Sequence, residues 1–280
     1  MRELAALWRS AWLTETSYRL SMLFSLASLA FVVVPLYFVT KALQPLMATS
    51  IASEGHEYFA FALLGAIAFT LATAGVTSLP NALAGAIGRG TLETYLGTPT
   101  HPALLFAGMS AYGLFWAFMR SAILLVAGAA LGVRIVAGSV PSVALILALL
   151  IVAHGALGAI AGALLVSFRT TGPFVTGVLT GSMLLGGVYY PTHVIPSWLQ
   201  QLSHALPISY GLRALRQTAL RGDSLGAVSR DVGLLALYAL VLLCVAILAN
   251  AAALRYITTA EECAKAGYLA TAKLAGTSSR

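Results

Sequence analysis

Residues 87–99 read IGRGTLETYLGTP: an arginine, a glutamate, glycines and threonines set between two long apolar stretches. Polar side chains in such a place either react or bind. Reaction finds no support. The sequence holds no G-x-S-G or H-E-x-x-H pattern and no paired carboxylates inside an apolar run, so enzyme chemistry in this chain is not expected. No G-x-x-x-x-G-K-[ST] phosphate loop occurs either. Binding is left, and short polar segments of this kind suit a docking surface.

The elements that must position those residues are set by composition. Of 280 residues, 59% are hydrophobic and only 9% charged, and the apolar residues come in runs too long for a soluble core. A bilayer core about 30 Å thick needs about 20 apolar residues of helix to cross it. Six such runs are present, at about 20–40, 58–87, 103–133, 141–168, 171–190 and 232–254. None alternates in polarity as a membrane β-strand does, so the expected fold is all-α, a six-span polytopic bundle forming one domain over residues 1–280. No short apolar leader with a small-residue cleavage site opens the chain, so nothing is expected to be removed. Cys244 and Cys263 are too differently placed for a disulfide framework.

Lysine and arginine favour the cytoplasmic side of a membrane, and their distribution places both termini inside, with a modest bias. Before the first run, Leu4, Leu7, Trp8, Ala11 and Trp12 recur at helical spacing opposite most of the charges. Residues 1–18 therefore read as an interfacial helix lying on the membrane surface. Residues 258–280 read as a cytoplasmic tail. In the connection at 87–101, Thr91 or Gly90 can cap a short helix, Glu93 suits its positive first turn, and Gly97 with Pro99 ends it. A helix of one or two turns is not stable alone and must gain order by docking.

The stretch RGTLETYLGTP resembles the G-T-L-E-x-L-x-x-T-P signature of ABC-2 type exporter permeases. Residues 187–222, with a glycine, aromatic residues and a proline, then P-x-W-L, L-P-x-x-Y and A-L-R, resemble the segment that precedes the last span in that family. The resemblance runs from the interfacial helix to the sixth span. It implies a membrane subunit of an ATP-driven exporter in the cell membrane, moving an amphiphilic or lipid-linked cargo. It also implies two copies of a separate ATPase subunit, which would hold ATP and Mg, so that this chain carries no cofactor of its own. A second permease copy, taken as identical, and membrane lipids complete the expected partners; nucleic acid and metal are not among them. In the family the loop between spans two and three is the coupling helix, which assigns ATPase contact to Gly90, Thr91, Leu92, Glu93, Tyr95, Leu96, Thr98 and Pro99.

Residues 191–222 fit the family's re-entrant pair on physical grounds also. Pro196 can open one helix through about Ala205 and Pro207 another through about Leu220, and each is too short to span. Pro191, Trp198, Leu199 and Tyr210 in this segment, with Tyr189 and Tyr190 just before it, are candidate gate residues, although aromatic residues at such depth also serve as interface anchors. Arg213 and Arg216, with Arg221, either reach headgroups, line an exit for anionic cargo, or snorkel to water. Arg120 lies in the third run, where a charge costs roughly 2.5–3.5 kcal/mol, which makes it a candidate pathway residue. His154 reads as a packing histidine. Tyr112, Phe115, Trp116 and Phe118 suit stacking on cargo or packing. Gly158 with Gly162 and Gly177 with Gly181 have the spacing for close helix contact.

The competing reading is a secondary transporter or channel-like protein without an ATPase. It predicts midmembrane ionisable groups in a repeated arrangement, and no internal repeat is evident. The six-span reading puts positions 94 and 223 on opposite sides of the membrane. Single cysteines replacing Thr94 and Asp223 in a cysteine-free chain should label from opposite faces of sealed vesicles; labelling of both from one face contradicts it.

Overall fold

A computed structural model of the chain describes residues 19–91, 102–136 and 139–277. The described residues form helices and no strand: α1 (Arg19–Ile51), α2 (Tyr58–Gly88), α3 (Pro102–Ala130), α4 (Val140–Phe168), α5 (Gly172–Leu185), α6 (Ser197–His204), α7 (Pro207–Arg216) and α8 (Ser229–Thr277). A π turn, Gln217–Arg221, follows α7 directly. The interfacial helix expected at 1–18, and the coupling helix apart from its first residues, lie outside the described residues.

Among the described residues, five helices are long and apolar enough to cross a membrane. The expected fifth span is the exception. At 14 residues α5 is only about 21 Å long, short of a bilayer core, and the stretch from Gly186 to Tyr190 that should have completed it is not helical. Two other boundaries also differ from expectation. The first span does not end at residue 40, because α1 continues to Ile51 through Pro45, so that Lys41 lies within a helix. Its added turns bring Gln44 to the start of α2, where Oε1 accepts from the Tyr58 amide at 2.6 Å and Nε2 donates to the His56 carbonyl at 3.0 Å. The expected tail is helical through Thr277, consistent with the strong helix formers alanine, glutamate and lysine in that stretch.

The connections at 52–57, 131–136 and 186–228 gather at one end of the bundle. Arg216 reaches Glu54, Arg221 donates to the Ser53 carbonyl, and the Val136 amide donates to the Ala219 carbonyl. We call this the Glu54 end. The other end holds the last turn of α2 and the connection after α4.

Helix α2 is the axis of the fold: 78% of its most apolar window is buried, against 33% or less in the other spanning helices. Its closest neighbour is α4. A Cβ on Gly158 would sit 2.3 Å from the Gly75 carbonyl oxygen, and one on Gly75 would sit 2.9 Å from the His154 Cβ, so glycine on both helices permits the approach. Gly162 meets Leu79 and Leu83 on the same seam. The other expected pair, Gly177 and Gly181, has nothing within 4 Å among the described residues and contributes no packing there. Helix α8 packs along α4 through Leu235, Ile146 and Leu150, and Asn250 donates to the Ala159 carbonyl at 3.1 Å.

Gly90 stops α2. Gly90 has φ +66°, its amide donates to the Ile87 carbonyl and the Thr91 amide donates to the Ala86 carbonyl. This is a Schellman stop for α2, which needs the left-handed conformation that glycine adopts cheaply.

The α2–α4 seam yields a stability prediction. Gly158→Ala should cost about 1–3 kcal/mol by overpacking. Gly155→Ala, on the same helix but with open space around it, should be neutral or mildly stabilising. Unfolding midpoints in one lipid composition compare the two, and equal effects would contradict the packing.

Candidate functional site

The polar centre of the described structure forms where α7 enters the Glu54 end. Pro207 opens α7 after Leu206, as its place in a first helical turn permits, whereas Pro196 caps α6 from just outside the helix. Nearly all of α7 is buried, and its last residue, Arg216, is 1% exposed. This differs from a headgroup-facing or exit-lining arginine. The cause is Glu54, whose buried carboxylate accepts from Arg216 Nη1 at 3.1 Å. Arg216 Nε donates to the Phe61 carbonyl at 3.1 Å, Nη1 also to Gly187 at 2.9 Å, and Nη2 to Val188 at 2.7 Å. The Phe61 ring lies against the guanidinium, 3.4 Å from its central carbon, adding a cation–π contact. Burial lowers the Arg216 pKa to about 10 against the opposing pull of Glu54, which leaves the side chain charged at neutral pH.

The carbonyls that Arg216 captures belong to the non-helical connector after α5. Gly187 turns the chain with φ +79°, and a Cβ there would lie 2.9 Å from Thr192 Cγ2. The Tyr58 hydroxyl donates to the Tyr189 carbonyl at 2.9 Å, and the Tyr190 hydroxyl donates to the Leu184 carbonyl. Glycine on α2 makes room for all of this. A Cβ on Gly65 would fall 1.9 Å from the Val188 oxygen and 2.7 Å from Arg216 Nη2. Side chains from α2 and α7 thus do for this connector what a helical ladder does elsewhere.

A second polar cluster ties α7 to α8. Tyr210 and Tyr238 stack with centroids 5.8 Å apart and both donate to the His204 carbonyl, at 3.0 and 2.9 Å. Arg213 lies 5.9 Å from the Tyr210 centroid and pairs with Asp231 at 3.4 Å. Arg213 and Arg216 therefore serve different partners, Asp231 and Glu54. Arg221 pairs with Asp223 at 3.5 Å.

The remaining candidates separate. Pro191 is buried, Leu199 is half-buried, and Pro196 and Trp198 are exposed. Arg120 is on the exposed side of α3, beside Phe118 and Met119. Tyr112 and Phe115 each meet Trp116 edge-on, with centroids 6.3 and 6.1 Å away. His154 is fully buried, with Nδ1 2.9 Å from the Leu150 carbonyl and Nε2 without a partner among the described residues. The sequence reading missed Glu54, Tyr58, Gly65 and the Gly187 turn. One signal existed: an arginine-rich connection offers few carboxylates at its end of the bundle, and a buried guanidinium must claim one of them.

Apolar helices long enough to cross a membrane, joined at one end by a buried ion pair, define a multi-pass membrane protein. The sequence profile described as ABC-2 type transporter matches residues 2–220, and the chain belongs to that family. It is thereby a transport permease component and not a catalytic domain. No curated protein matches the chain.

The buried pair predicts a coupled energy. Removing one partner alone, as Arg216→Met or Glu54→Ala, should cost about 3–5 kcal/mol because a buried charge or its carbonyl partners are stranded. The double variant should recover part of that loss, giving a coupling of about 1–3 kcal/mol in a thermal-unfolding cycle. Additive losses would contradict the pairing.

Proposed function

We propose that this chain is the membrane-spanning permease subunit of an ATP-driven exporter, moving an amphiphilic or lipid-linked cargo out of the cytoplasm or inner leaflet. The reading rests on family membership across residues 2–220 together with the lack of a phosphate loop anywhere in these 280 residues. A permease without its own ATP site needs an ATPase beside it, and we assign two such subunits to a pair of permease copies in the cell membrane. Six crossings, with α5 and the non-helical connector at 186–190 together as the fifth, leave both termini in the cytoplasm. The Glu54 end then faces outward, and α6 with α7 forms the re-entrant pair at the exit.

The path from ATP to exit runs along α2. The segment Gly90–Pro99 begins directly where the Schellman turn stops that helix, so a push on a docked coupling loop acts on the base of α2. Its 31 residues make a rod about 46 Å long. At the far end of the rod stand Tyr58, Phe61 and Gly65, which seat Arg216 and the α5 connector. A displacement of α2 at its base therefore reaches the exit through packed, hydrogen-bonded contacts, without any need for cargo to touch the ATPase.

Co-purification of an ATPase separates this reading from a secondary transporter or channel. Within the complex, Leu92→Ala combined with Glu93→Ala should weaken ATPase retention about tenfold, the consequence of losing about 1.4 kcal/mol of docking energy. Cargo-stimulated hydrolysis should fall while the permease stays folded. Unchanged retention and unchanged stimulation together would remove the coupling assignment.

A further inference from the structure

We propose that residues Gly186–Tyr190 are a two-state element, clasped by Arg216 and Tyr58 in the structure and refolded as the last turns of α5 when the Glu54 end opens. Length is the first observation. Helix α5 is about 21 Å long and too short for a bilayer core, whereas continuing it to Tyr190 lengthens it to about 28 Å. The added residues, GGVYY, are as apolar as the helix they would extend. Pro191 follows at once and marks where such an extension must end, since the residue before a proline disfavours helix.

Hydrogen bonding is the second observation. The clasp consists of four side-chain bonds: Arg216 to the Gly187 and Val188 carbonyls, Tyr58 to Tyr189, and Tyr190 to Leu184. A helical continuation replaces them with backbone bonds from the amides of residues 187–190 to the carbonyls of residues 183–186, and it leaves the last carbonyls at the membrane surface, where water reaches them. Four bonds are exchanged for about four. Arg216 keeps Glu54 and the Phe61 carbonyl throughout, so no buried charge is stranded. The left-handed turn at Gly187 is released in the process.

Two packed arrangements of one segment, near balance in their bonding and joined to α2 through Tyr58 and Gly65, are what a gate at the end of that rod requires. The purpose of the motion rests on the permease reading. The experiment below reads the motion without transport, so failure of either is seen separately.

The test uses the full chain in nanodiscs of phosphatidylethanolamine and phosphatidylglycerol, with Cys244 and Cys263 replaced by alanine. Spin labels at Ser53→Cys and Val194→Cys, both exposed, report the distance across the clasp. Gly187→Ala strains the left-handed turn and favours helix, so it should raise the ratio of released to clasped distances by at least about tenfold. Tyr58→Phe, which removes one clasp bond, should shift the ratio less and in the same direction. Amide exchange at Val188–Tyr190 should slow as the helix forms. An unchanged distance distribution in Gly187→Ala overturns the proposal, as does a longer distance with faster exchange, which is unravelling. If Gly187→Ala does not fold, Tyr58→Phe decides: a shift with slower exchange supports the two-state element, and an unchanged distribution overturns it.

Discussion

One guanidinium holds the Glu54 end together. Arg216 binds a carboxylate from the α1–α2 connection, a carbonyl of α2 and two carbonyls of the chain beyond α5, while its own backbone belongs to α7. The demand behind this arrangement is general. A backbone that leaves its helix inside an apolar bundle exposes carbonyls that water cannot reach, and each must find a donor. Arginine suits the task because its fixed fork presents several N–H groups at once. Its charge then needs an anion within reach, and Glu54 supplies it. Gly65 follows from the same demand, since any side chain there would displace the Val188 carbonyl.

Much of the fold could be read in the sequence because bilayer length and apolar runs are strongly linked. The helix starts near residues 58, 140 and 172, the prolines opening α6 and α7, and the Gly158 seam followed from run length, proline position and glycine spacing. Hydropathy did not reveal that α5 stops at Leu185. Gly-Gly-Val-Tyr-Tyr is apolar enough for a span, and three of the four side-chain bonds that hold its non-helical form come from donors more than 25 residues away in the sequence. The Arg216–Glu54 pair was hidden for the same reason: 162 positions separate its members, and arginine near a membrane end reads as an interface residue until its burial is known. The part Gly90 plays in closing α2 was not read, because a glycine between helices can open the next as readily as it closes the last.

Arg216 also links position to function. Helix α2 is the most buried of the spanning helices and runs from the Gly90 turn to the seat of Arg216. In an ABC-2 permease such a helix offers a short mechanical route between the ends of the protein. The second cluster, Tyr210 and Tyr238 on the His204 carbonyl with Arg213 on Asp231, fixes α7 against α8, so that α7 has rigid support from two sides. Motion at this end is therefore best sought in the connector between α5 and α6, where side-chain bonds stand in place of a ladder.

The central claim is that the Arg216 guanidinium is a buried structural hub and not a side chain facing lipid or an open exit. Solid-state NMR of the full chain in bilayers, with labelled arginine and glutamate, tests it most directly. Burial predicts an Arg216 guanidinium whose protons exchange slowly with water and whose nitrogens show dipolar contact with the Glu54 carboxylate carbon, consistent with the 3.1 Å ion pair. Rapid exchange with no contact to Glu54 would contradict it.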